Sequence, residues 1–130
     1  MTVYRLAKNP GDYAAAHALL RAEGYPKQKL QFPTVMAFDA DFKAVGVAAT
    51  RIEDEMIVMG PLCLKSDRRR PRTAIRLIDL YDIAMRGMGI TSYIFHIEQG
   101  NLWEKLVNKA MPDLTPYAMR DGINYYIRRL

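Results

Sequence analysis

His96 and Glu98 stand two apart in the run Thr91-Ser-Tyr-Ile-Phe-His-Ile-Glu. In an extended chain that spacing puts both on one face with Ser92 and Ile94, while Tyr93, Phe95 and Ile97 take the other. An imidazole of ordinary pKa suits proton abstraction near neutrality, and a carboxylate at a strand end can do the same work. Both are candidate general bases, although a lone strand histidine is more often a satisfied structural residue. The second chemical feature is Lys65-Ser66-Asp67-Arg68-Arg69-Arg70-Pro71-Arg72, which holds much of the net charge of +5. Such a run wants an anion. Nucleic acid, a phosphate-bearing cofactor and plain solvent all satisfy it, and composition does not choose among them. Glu53-Asp54-Glu55 is an acidic cluster that could attract a cationic substrate but reads first as a solvated turn. Tyr117, Tyr125 and Tyr126 could supply an acid, yet alternating aromatics in a terminal hairpin are usually sheet packing. With His17 and His96 the only histidines and Cys63 the only cysteine, no metal-ligand spacing exists, so no metal and no disulfide are expected. Phosphate-binding Gly-x-x-x-x-Gly-Lys loops, Gly-x-Ser-x-Gly elbows and zinc-finger patterns are absent as well.

These residues must be held by a core. A chain of 130 residues, 50% hydrophobic and 25% charged, is expected to form one domain over 1–130 without a staple. The pI is about 9.4. No apolar run reaches the roughly 18 residues of a membrane span, and Met1 to Pro10 lacks a signal peptide's apolar middle. A cytoplasmic protein away from membranes is expected. Cys63, in an apolar run, reads as a buried thiol.

Thr2 to Leu6 predicts a strand, broken at Asn9-Pro10-Gly11. Asp12 is positioned to cap a helix with apolar residues at Tyr13, Ala16, Leu19 and Leu20, ending at Gly24. Tyr25 to Pro33 predicts a loop. Thr34 to Ala40, Ala44 to Ile52 and Met56 to Leu64 predict an antiparallel meander with turns at Asp39–Lys43 and Glu53–Glu55. After the basic run, Thr73 to Met88 is an amphipathic helix closed by Gly87 and Gly89. A strand over Thr91 to Glu98 follows, then Asn101, a helix over Leu102 to Ala110 with Trp103 near its start, and a hairpin from Tyr117 to Leu130 turning at Arg120-Asp121-Gly122.

From Leu62 to Met111 the chain reads Leu-Cys-Leu-Lys, an arginine-rich turn, a long helix ending Arg86-Gly87-Met88-Gly89-Ile90, a strand, Asn101, and Leu-Trp-Glu-Lys-Leu-Val-Asn-Lys-Ala. This segment, and the order of elements over essentially the whole chain, resembles the GNAT superfamily of N-acetyltransferases. The resemblance implies an α/β (α+β) fold, a mixed and mostly antiparallel sheet with helices on both faces. It implies N-acyl transfer from acetyl-coenzyme A to an amine acceptor, a small amine or a protein amine. Arg69, Arg70, Arg72, Thr73 and Ala74 would then form the pyrophosphate turn at a helix N-terminus, where unpaired N–H donors and the helix dipole favour an anion. The backbone of Leu62, Cys63 and Leu64 would run along the pantetheine arm, with Asn101 on its other side. The thioester would sit where the fourth and fifth strands part, and His96 or Glu98 would take the amine's proton.

The sequence departs from that family in two places. Arg70-Pro71-Arg72-Thr73-Ala74 carries none of the family's glycines, and Pro71 lacks an N–H, although the extra arginines can bind phosphate through their side chains. The tyrosine that many members use to protonate the leaving thiolate falls near Leu106. Two alternatives therefore stand beside the enzyme. One is a non-catalytic GNAT-like structural or interaction protein with a protein partner, of the reduced kind found among phage and prophage products. The other is nucleic-acid binding through the basic run and Arg128-Arg129, for which a phosphate-binding or solvated loop is the commoner explanation. Terminal strands of this kind can pair between subunits, so either a monomer or a homodimer is expected.

Overall fold

Alternation near the N-terminus becomes strand β1 (Val3–Leu6), and helix α1 (Pro10–Ala22) follows. The computed structural model describes residues 1–68, 70–98, 111 and 113–130, with 97 and 98 described by backbone only. Asn9-Pro10-Gly11, expected as a turn, starts the helix instead. Asn9 is the N-cap, its Oδ1 accepting from the Asp12 N–H at 2.9 Å. Pro10 opens the first turn, where a missing N–H costs nothing. Asp12, expected as the cap, lies inside that turn and takes two hydrogen bonds from Arg5, at 2.6 and 2.8 Å.

The meander forms as β2 (Gln31–Phe38), β3 (Ala44–Glu53) and β4 (Met56–Leu64). β2 begins three residues before its expected start because Pro33 sits at a register irregularity between Gln31 and Val35, where a proline is tolerated. The β3–β4 turn is tight: Asp54 and Glu55 both have positive φ, 50° and 64°. Helix α2 (Pro71–Gly87) also begins two residues early, with proline in its first turn. Strand β5 (Ser92–Glu98) leads to the hairpin of β6 (Thr115–Arg120) and β7 (Ile123–Arg129). Asp121 and Gly122, at φ 52° and 77°, make the mirror-image turn that Asp-Gly favours.

Seven strands form one sheet in the order β1-β2-β3-β4-β5-β7-β6. Only the β4–β5 pairing is parallel. Because side chains alternate across a strand, β2 sends Met36 and Phe38 to α1 and Val35 and Ala37 to α2. The helices thus lie on opposite faces. The α2 face is the larger core, where Tyr81 meets Tyr93 edge-on at 5.1 Å. Two polar links fasten α2 to the sheet: Tyr81 shares a 2.5 Å hydrogen bond with Thr50, and Asp82 accepts from Tyr93 at 2.6 Å and Arg128 at 3.0 Å. Burial pushes both tyrosines' pKa values up, so each hydroxyl stays protonated. No helix among the described residues is long and apolar enough to cross a membrane. The helix expected over 102–110 lies outside the described residues.

Candidate functional site

β4 and β5 pair at two positions, Val58 with Ile94 and Met59 with Phe95. Beyond these β4 continues against β3 through Leu62–Leu64, while β5 continues against β7 through His96–Glu98. The strands therefore part at Gly60, and from there the β5-side edge of β4 has no strand partner among the described residues. His96 fills the point of parting: a Cβ built on Gly60 would overlap the imidazole edge. A side chain on Gly60 and the observed ring position exclude each other.

A chain of polar contacts holds that ring. Arg51 Nη1 lies 2.9 Å from His96 Nε2. A guanidinium only donates, so Nε2 must accept, and the neutral ring carries its proton on Nδ1. Nδ1 is buried without a hydrogen-bond partner among the described residues. Glu53 fixes the far side of Arg51, its Oε2 accepting from Nη2 at 2.6 Å and Nε at 3.2 Å. Tyr125, 8% exposed, stacks obliquely on His96 at 5.8 Å and donates to Glu53 Oε1 at 3.4 Å. Burial, and then the Arg51 cation, lower the His96 pKa to about 4, partly opposed by Glu53. The imidazole is thus neutral at physiological pH, with its lone pair engaged on Arg51.

Sequence reasoning missed Arg51 and Gly60. The available signals were a lone arginine closing the apolar run Val45 to Thr50 and a glycine inside the apolar run Met56 to Leu64. The acidic cluster also resolves differently from the solvated turn expected. Glu53 faces inward as Arg51's partner, Asp54 accepts from the exposed Arg120 at 3.0 Å, and Glu55 is exposed. Tyr117 donates to Met56 Sδ at 3.8 Å.

On the cofactor side, Cys63 and Leu64 are buried and Leu62 is half-buried, which leaves chiefly their backbone to a ligand. Burial of Cys63 in the α1-side core gives its thiol no electropositive, exposed setting. At the start of α2 the expected set of open donors is reduced, because the N–H groups of Thr73 and Ala74 both turn to Arg70 O, at 3.1 and 3.3 Å. Thr73 and Ala74 are buried, whereas Arg68, Arg70, Arg72 and Arg76 are exposed around the turn. Any anion here meets side-chain guanidinium groups more than a cradle of backbone amides. Arg69, Asn101 and Trp103 lie outside the described residues, and of Glu98 only the backbone, opposite Ile123, is described. Among the described residues no three His, Cys, Asp or Glu side chains converge as metal ligands do.

Solved structures place this architecture. The ribosomal-protein-S18-alanine N-acetyltransferase of Escherichia coli superposes with a TM-score of 0.76 at 11% identity, over 99% of this chain and 94% of its own. The chain has the GNAT fold. Ard1 from Thermoplasma volcanium gives 0.75 at 12% identity, over 99% and 97% of the two chains. The PaiA N-acetyltransferase of Thermoplasma acidophilum, solved in complex with coenzyme A, gives 0.72 at 12% identity, over 100% and 99%. No family model matches the sequence, and no curated protein matches it. At these identities the likeness is one of fold.

Proposed function

We infer that the protein transfers an acyl group, acetyl by first choice, from coenzyme A to an amine at the parting of β4 and β5. The observation that carries this is the edge of β4 beginning at Gly60, open among the described residues, with polar side chains gathered at its first residue. The residues present fit the donor. A strand edge from Gly60 to Leu64 with no strand partner among the described residues suits the amides of the pantetheine arm, and the exposed arginines suit its phosphates. When bound, acyl-coenzyme A supplies the thioester; the chain supplies position and proton transfer. The amine's lone pair attacks the thioester carbonyl carbon, the carbon–sulfur bond breaks, and the amine's proton passes to a base as sulfur leaves and is protonated from solvent. Of the two bases expected on β5, Glu98 is the one we assign. His96 is given the positioning role, since its Nε2 is held by Arg51.

Calorimetric titration with acetyl-coenzyme A at near-physiological salt tests the donor site. Micromolar binding, weakened tenfold or more by Arg70→Ala/Arg72→Ala, supports it, and Glu98→Gln should then lower kcat by about 10²-fold or more. Absence of heat up to millimolar ligand would sink it. That outcome would favour the non-catalytic alternative, for which one feature speaks: the Thr73 N–H, one of the otherwise open donors of the arginine turn, is already spent on Arg70 O.

A further inference from the structure

A guanidinium has five N–H donors and no acceptor. At Arg51 three of the five are used, two on Glu53 and one on His96, which leaves two without a partner among the described residues. The side chain is 18% exposed, so the guanidinium is not sealed from solvent. Its place is fixed as well. Nη1 would lie 3.2 Å from a Cβ on Gly60, the residue at which β4 leaves β5. Holding a guanidinium against a neutral imidazole acceptor and a carboxylate pre-sets its plane and removes the entropy cost that a free arginine would meet on binding.

We propose that Arg51 reads the acceptor, donating to an oxygen on the carbon next to the amine-bearing carbon, and that His96 and Glu53 position it for this. The proposal rests on the acyl-transfer reading and narrows its acceptor class. An amine flanked by a carbonyl or carboxylate oxygen satisfies the two donors. A simple alkylamine leaves them unpaired in a partly dry site, and a polyamine brings a second cation toward the guanidinium. Free amino acids and amides or peptides share the required oxygen.

Acetyl transfer to glycine, glycinamide, propylamine and spermidine tests this. Glycine or glycinamide should exceed propylamine in kcat/KM by about tenfold to a hundredfold, the worth of a hydrogen bond to a charged group. Glycine above glycinamide identifies a carboxylate, and the reverse a carbonyl. Arg51→Gln should erase the preference, with KM rising more than kcat falls. His96→Gln, which keeps an acceptor near the Nε2 position, should retain more of the preference than His96→Phe. Transfer to propylamine as efficient as to glycinamide would overturn the proposal. A second measurement on the unaltered protein needs no turnover: the Arg51 Nη–H resonances, identified by their loss in Arg51→Lys, should shift with glycinamide and not with propylamine in the presence of coenzyme A. A shift without transfer to any amine would leave the recognition standing and remove the acyl-transfer reading. No shift would remove the recognition whatever the turnover.

Discussion

Replacing Gly60 by alanine adds one methyl group where the His96 ring already lies. In an ordinary strand the change should help slightly, because glycine loses more backbone entropy on folding than alanine. Here the imidazole must move. It is confined by Tyr125 and tied to Arg51 at 2.9 Å, so a shift strains the packing and stretches or breaks that bond. Overpacking costs about 1–3 kcal/mol and loss of a hydrogen bond to a charged group about 1.5–3 kcal/mol, so an overall loss of about 2–4 kcal/mol is expected after partial relaxation. Urea unfolding of the wild type, Gly60→Ala, His96→Ala and the double variant measures this directly. In the His96→Ala background the ring no longer blocks the methyl group, so Gly60→Ala should cost under about 1 kcal/mol there, giving a coupling of at least about 1 kcal/mol. Equal costs in the two backgrounds, or less than about 1 kcal/mol in the wild type, would refute the claim that His96 determines the glycine.

Three further outcomes are expected. His96 should remain neutral from pH 8 down to about pH 5 by NMR, as its pKa of about 4 requires. Because its folded pKa lies below the ordinary 6.5, its contribution to stability is complete above pH 6.5 and declines as pH falls toward 4, by at most about 3 kcal/mol, a dependence that His96→Gln should abolish. Asp12, whose hydrogen bonds from Arg5 hold its pKa down to about 2 against an ordinary 3.8, contributes above pH 3.8 and loses that contribution as pH falls through 2. Arg5 is partly in solvent, so Asp12→Asn should cost only about 1–2 kcal/mol in urea unfolding at pH 7. Glu55, exposed at φ 64°, holds a conformation that suits glycine, so Glu55→Gly should raise stability by about 1 kcal/mol in the same assay.

Local periodicity made most of the framework legible. The meander, the long helix and the Asp121-Gly122 turn each follow from residues within about ten positions of one another. Boundaries failed where proline is permissive: Pro10 and Pro71 open helices, and Pro33 sits at a bulge, three places where its missing N–H is not needed. His96 was legible as a residue of interest, but its chemical state was not. That state depends on a contact 45 positions away in sequence, with Arg51, which no spacing rule connects to it. Glu53 shows the same limit. Placed at a hairpin tip beside two other acids it reads as solvated charge; alternation along β3 puts Arg51 and Glu53 on one face, but only the strand pairing brings that face to His96 and Tyr125. An arginine such as Arg51 packed against a histidine raises the question of a charge pair. In the folded sheet the same arginine, balanced by Glu53, leaves His96 as an uncharged acceptor, and the cation becomes the group with donors to spare.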